Sequence, residues 1–207
     1  VGVVISAGQV SHVLLHGHAR SHAEKDAVYL AGLRSSPWQH LDETPTRVNG
    51  RNHACYVVCG PLFTAYFTRE SKDRLTALDV LRNGQPRAFR VNDEALARLA
   101  WLGVAQWVQA RVARFPRDQD LDEAALGALL DGLAPRLGPQ QRTGIQAATA
   151  VAAYHAQTGF PVVAALVADD APQFAWLTED LALCWIHDAR HYKKLQPFYA
   201  HHRTALT

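Results

Sequence analysis

Apolar and polar positions change their spacing several times along the chain, and each change marks a boundary. Before residue 36, Val10, Val13, Leu14, Ala27, Leu30 and Leu33 keep a broken helical spacing. Ser6-Ala-Gly-Gln9 has the spacing of a capping box, in which the Ser hydroxyl and the Gln side chain serve backbone N–H groups left free at a helix start. Gly17 is expected to interrupt this region, and Ser35-Ser-Pro37 to end it. Residues 38–48 and 52–59 then read as strands, with Asn49-Gly50 as a two-residue turn between them. Gly60-Pro61 is a further break, and residues 62–68, rich in Phe, Tyr and Thr, read as a third strand. Three strands joined by short turns make an antiparallel meander. Ser71-Lys-Asp-Arg74 opens a helix whose Leu75, Leu78 and Leu81 share one side.

Residues 84–158 differ. Segments 93–115, 121–133 and 139–157 are rich in Ala and Leu, with breakers at Pro116, Pro135 and Gly138-Pro139. They predict an all-helical insertion without strands. Strand character resumes at Phe160-Pro-Val-Val-Ala-Ala-Leu-Val167, an apolar run that suits a strand buried on both faces, hence a central parallel one. Asp169-Asp-Ala-Pro-Gln-Phe174 follows. Thr178-Glu-Asp180 precedes a last strand over 181–186, with Trp185 as a core residue, and residues 187–203 read as helical with a break at Pro197. The expected fold is α/β, with segments 1–37 (helical), 38–83 and 159–207 (core) and 84–158 (helical insertion). The element order is that of a ribonuclease-H-like mixed sheet with an all-helical insertion before the fourth strand, one of several α/β arrangements the periodicity allows.

Composition narrows the class. Of 207 residues, 48% are hydrophobic and 19% charged, the mark of a globular chain. No apolar run approaches the roughly 18 residues of a membrane span, and the opening Val1-Gly-Val-Val-Ile5 lacks the length and basic lead of a signal peptide, so a cytoplasmic location is expected. A chain that opens on Val and contains no Met reads as a fragment. The net charge of +2 gives no argument for nucleic acid. Its distribution says more: Arg190, His191, Lys193, Lys194, His201, His202 and Arg203 crowd the C-terminal end, either as a solvated helix face or as a phosphate-contacting patch.

Cys55, Cys59 and Cys184 form an odd, low count that suits reduced thiols. Cys55-x3-Cys59 with Cys184-x2-His187 superficially resembles a zinc set. Residues four apart on a strand, however, lie about 13 Å from each other, whereas zinc needs each sulfur about 2.3 Å from one ion. Small core thiols are the better reading.

Two carboxylates carry the candidate chemistry. Asp42 falls in the first strand among partly apolar neighbours, where a carboxylate facing the helix-covered side of a sheet is costly without a partner. Asp169 follows the buried strand, at the carboxyl end where open α/β sheets place their sites. If the two strands are neighbours, the acids approach each other and repel unless a cation or proton lies between them. Mg²⁺ suits such oxygen ligands. A pair of ions about 3.5–4 Å apart supports phosphodiester chemistry. Against this stands a plain reading, an Asp at a strand edge and an Asp-Asp-Ala-Pro loop opening or helix cap. Glu43 and Asp170 are weaker candidates, since neighbouring strand residues face opposite ways.

Several stretches resemble transposases of insertion-sequence family sixty-six, in family order. His40-Leu-Asp-Glu-Thr-Pro-Thr-Arg-Val-Asn-Gly-Arg-Asn-His53 is similar to the strand carrying that family's first aspartate. Phe63-Thr-Ala-Tyr-Phe-Thr68 and Ser71-Lys-Asp-Arg-Leu-Thr-Ala-Leu-Asp-Val-Leu81 resemble the segments after it. Val167-Ala-Asp-Asp-Ala-Pro-Gln-Phe174 looks like the second-aspartate motif, and Leu183-Cys-Trp-Ile-His187 with Arg190-His-Tyr-Lys-Lys194 like the Cys-Trp-x-His segment. The resemblance covers residues 35–200 apart from the insertion, which departs from the usual pattern. It implies a DDE transposase with a ribonuclease-H-like core, Asp42 and Asp169 as catalytic metal ligands for two Mg²⁺ or Mn²⁺ ions, DNA (transposon ends and target) as partner, and a homo-oligomer in the complex. His187, Arg190, Lys193 and Lys194 become candidate DNA contacts, with His187 equally a hydrogen-bonded residue at the sheet end. The family's third acid, a Glu on a later helix, has no match before Thr207; Glu179 precedes the last strand and is wrongly placed. A metal-dependent nuclease of the same fold, or an inactive fragment that only binds DNA or a partner, are the other readings.

Overall fold

The computed structural model describes residues 4–16, 18–133, 137–194, 199, 201 and 204. The expected breaks at Gly17, Pro135 and Pro197, and the basic residues His202 and Arg203, lie outside the described residues. Helices α1 (Ala7–Leu15) and α2 (Ala19–Ser35) lead into three strands, β1 (Trp38–Val48), β2 (Arg51–Gly60) and β3 (Phe63–Arg69). Helix α3 (Arg74–Leu81) follows, then β4 (Phe89–Arg90), α4 (Asp93–Trp101), α5 (Gln106–Val112), β5 (Asp120–Leu121), α6 (Glu123–Asp131) and α7 (Pro139–Ala156). Strands β6 (Ala165–Ala168) and β7 (Asp180–Leu183) and helix α8 (Trp185–Lys193) complete the chain. Among the described residues no helix is long and apolar enough to cross a membrane.

The start of α1 is the capping box that the spacing predicts: the Ser6 hydroxyl accepts from the Gln9 amide at 3.2 Å, and the Gln9 side chain accepts from the Ser6 amide at 2.8 Å. The β1–β2 turn uses Asn49 and Gly50 at φ 50° and 75°, the left-handed pair a tight hairpin requires. Asp73 caps α3 by accepting from the Thr76 amide at 2.8 Å.

One five-stranded sheet runs in the order β3-β2-β1-β6-β7. The first three strands are antiparallel neighbours; β6 runs parallel to β1, and β7 parallel to β6. The protein is thus a mixed α/β chain with a central parallel pair. Gln39, Leu41, Ala54, Tyr56, Val58, Ala65, Phe67, Leu166 and Ala168 are buried, alternating with the more exposed face of each strand. On the buried face α2 packs against β2 and β3. Its Tyr29 ring meets Phe63 and Phe67, with centroids 5.7 and 4.8 Å away, and its hydroxyl donates to the Val80 carbonyl of α3 at 3.0 Å. Burial pushes the Tyr29 phenol well above its ordinary range. Gly32 is required at this crossing, since a Cβ there would enter the Phe63 ring. Helix α7 lies against α3, α4 and β4. The amide of Val163 donates to its Tyr154 hydroxyl at 2.9 Å, tying α7 to the approach to β6.

Three expectations need correction. The insertion holds a two-stranded sheet, with Phe89–Arg90 against Asp120–Leu121, where helices alone were expected. Its strands are two residues long, too short for any periodicity. The fourth strand covers only four residues: Ala164 and Ala165 both direct their amides to the Pro37 carbonyl, so the ladder begins there and not at Phe160. It is half-buried on its second face, with Leu166 and Ala168 in the core and Ala165 and Val167 partly open. The last strand stops at Leu183. Trp185 and Ile186 begin α8, and Trp185 is 85% exposed rather than core.

Candidate active site

The β1–β6 register pairs Trp38 with Ala165, Gln39 with Leu166 and His40 with Val167. Continued two residues, the same register sets Asp42 opposite Asp169. Pairing has stopped by then, because β6 ends at Ala168. Strand alternation puts Asp42 on the face opposite the buried Leu41, and Asp169 follows the buried Ala168 one residue past the end of β6. Asp42 is exposed and Asp169 half-buried. Neighbouring strands run about 4.8 Å apart where they pair, and the last β1–β6 pair, His40 with Val167, lies two residues before both acids.

Each acid is locally braced. Asp42 Oδ1 accepts from the Glu43 amide at 2.8 Å, and Asp169 Oδ1 accepts from the Ala171 amide at 3.1 Å. The second contact is an Asx turn opening the loop after β6. Among the described residues no group of three or more His, Cys, Asp or Glu side chains is arranged to hold a metal. The zinc set weighed for Cys55, Cys59, Cys184 and His187 is likewise not assembled, and all three thiols are free.

The carboxylate on the helix-covered side is Glu43, not Asp42. Its side chain is 10% exposed and pairs through Oε1 with Lys72 at 3.3 Å. Glu43 also faces Tyr56 across the β1–β2 pair. Burial, aided by the negative charge of Glu43, pushes the Tyr56 phenol well above its ordinary range. A groove of about 800 Å³ beside this arm is lined by Glu43, Arg47, His53, Glu70 and Lys72 among others, and neither Asp42 nor Asp169 borders it.

Beyond β7 the chain turns into α8 at the same end of the sheet as Asp169. Cys184 joins the two, its amide donating to the Ala168 carbonyl at 2.8 Å. Cys184 occupies the N-cap of α8, and the backbone and side chain of His187 hold its thiol below its usual range. His187 therefore sits in the first turn of a helix. Arg190 and Lys193 fall in the last turn of α8, and Lys194 caps it. No residue of α8 is buried.

Sequence reasoning missed the contacts that hold the loop after Asp169, because their partners are distant in the chain. His155 bridges α7 to this loop: Nε2 lies 3.0 Å from the Leu177 carbonyl and Nδ1 contacts Glu94 Oε1. A carbonyl only accepts, so Nε2 donates, and the contact on Nδ1 needs a second proton between ring and carboxylate. Glu94 also accepts from Arg98 at 2.6 Å. Burial raises its carboxyl, but His155 and Arg98 together outweigh this and hold it below the usual range.

The candidate site thus comprises Asp42 within β1 and Asp169 just after β6, in a mixed α/β chain. The chain is similar to an uncharacterized protein, y4jO, from Sinorhizobium fredii, with 28% identity over 170 residues. That match covers 81% of this chain and 51% of the relative, so the chain spans about half the relative's length. No family model matches the chain, and no solved structure does.

Proposed function

We propose that the chain is part of the catalytic region of a DNA transposase of the insertion-sequence family sixty-six type, with a ribonuclease-H-like core that cuts and joins DNA strands. The observation that supports this reading is the parallel β1–β6 pairing, whose register, extended two residues beyond His40 and Val167, would set Asp42 opposite Asp169. The strand order, with three antiparallel strands followed by two parallel ones, is the order this reading calls for. Residues 84–158 are its insertion, and DNA ends and target are its substrates, engaged by a homo-oligomer.

Two carboxylates at the mouth of a sheet offer hard oxygen donors, the chemistry Mg²⁺ or Mn²⁺ selects. Asp42 and Asp169 would hold part of a two-ion cage; such ions, when bound, activate the attacking oxygen and stabilise the leaving one. The protein's own contribution is to keep both acids on rigid backbone, through the β1 ladder and the Asx turn at Asp169. On this reading the third acid, a Glu, comes from a longer product. That no group of three or more metal-ligating side chains is found among the described residues supports a narrower alternative for residues 1–207, DNA or partner binding without cutting. The α8 cations Arg190, Lys193 and Lys194, with His187, would then serve as phosphate contacts.

The test compares one DNA substrate cut by residues 1–207 and by a longer product bearing the downstream Glu, with and without Mg²⁺. The short chain is expected to cut weakly or not at all, the long one in a metal-dependent way. Asp42→Asn or Asp169→Asn should abolish cutting. Cutting that survives both substitutions overturns the assignment, and strand-transfer assays with paired DNA ends separate a transposase from a nuclease.

A further inference from the structure

Arg74 begins α3, far from Asp169 in the chain, yet it holds the loop that Asp169 opens. Its Nε donates to the Ala175 carbonyl at 3.3 Å, and its Nη2 donates to the Pro172 carbonyl. The same guanidinium lies over the Trp176 ring, 3.9 Å from its centroid, and within 5.8 Å of the Trp101 ring. The two indoles meet edge to face at 4.6 Å. Trp176 adopts φ 50°, a left-handed backbone that a bulky residue takes only where its surroundings enforce it. The guanidinium's flat shape and fan of donors let one side chain serve two carbonyls and one ring face at once. Burial, with the nearby charge of Arg98, lowers Arg74 to about 10, still charged at neutral pH.

The loop is fixed at its other end by the His155 contact to Leu177. Between these anchors and the end of β6 stand Asp169 and its Asx turn. From this geometry we infer that Arg74 is a positioning residue: it clamps the turn at residues 172–176 and so sets the Asp169 carboxylate on the side of Asp42. This rests on the metal reading above, but the clamp can fail separately from it.

Two measurements on residues 1–207 test the clamp. Hydrogen exchange should quicken in residues 169–178 of Arg74→Gln, with the β1–β3 meander unchanged. Mn²⁺ titration followed by electron paramagnetic resonance should show at least a tenfold weaker site in Arg74→Gln. Arg74→Lys, which keeps the charge but loses the two-carbonyl fork, should weaken it by at least half as much on a logarithmic scale. The double variant Arg74→Gln/Asp169→Asn should bind no more weakly than Asp169→Asn, because Arg74 acts through Asp169. Unchanged exchange in 169–178, unchanged Mn²⁺ binding in Arg74→Gln, or a further loss in the double variant overturns the positioning role. Mn²⁺ binding that survives both Asp42→Asn and Asp169→Asn sinks the metal reading instead; the exchange result then still decides whether Arg74 clamps the loop.

Discussion

The two faces of the sheet are built to different rules. One is closed by helices: Leu41, Tyr56 and Val58 are fully buried there, Tyr29 of α2 wedges between Phe63 and Phe67, and even a carboxylate, Glu43, is nine-tenths covered and paired with Lys72. The other leaves Tyr66 and Trp38 exposed and carries Asp42. The closed face holds the fold, and the open one has room for chemistry. Consecutive residues Asp42 and Glu43 fall on the two faces, since a strand turns neighbours to opposite sides.

The sharpest way to break this contrast is to hollow the closed face. Leu41→Ala removes a fully buried side chain of β1 and is expected to cost about 2–5 kcal/mol, read as a lower denaturant midpoint. A loss under about 1 kcal/mol would mean that the helical layer does not seal the sheet.

A smaller effect lies in the polar tie between α4 and α7. Glu94 has a depressed carboxyl, so its contribution is complete above its ordinary value of 4.5 and is lost as pH falls through the lower folded value. Glu94→Gln should therefore destabilise the protein at neutral pH by about 1–2 kcal/mol. The gap to wild type should close as the medium becomes more acidic than 4.5. A gap independent of pH would assign the loss to shape rather than charge.

The least effect is expected on the open face. Tyr66→Ser exposes no core and should change stability by no more than about 0.5 kcal/mol, measured by the same unfolding curves. A loss comparable to that of Leu41→Ala would show that this face is covered after all.

Much of the secondary structure was legible in the sequence, because its devices are local. Ser6 and Gln9 announce their helix, Asn49-Gly50 announces its hairpin, and β1 starts and stops where its pattern does. The errors came where apolar residues stand in irregular backbone. Residues 160–164 are apolar because they cross the core edge on the way to β6, not because they form a ladder. Trp185 and Ile186 are apolar yet exposed on a helix, so hydrophobicity placed them in a strand they do not join. Of the candidate site, the strand that carries Asp42 and the strand that Asp169 follows were readable. Arg74 and His155 were not, since their partners lie 98–101 and 22–61 residues away and leave no short-range signature.

The brevity of β6 has a consequence for association between chains. Its pairing with β1 ends at His40, so from Asp42 onward β1 has, among the described residues, no strand neighbour on that side. An uncovered row of donors and acceptors is a template for another chain to add to. The Glu43 amide faces that side and is occupied by the Asp42 carboxylate. Two residues on, the same side receives Pro45, which has no amide to offer. The bare margin is thus blunted at two successive positions, and the hairpin arm keeps its length without inviting a stray strand.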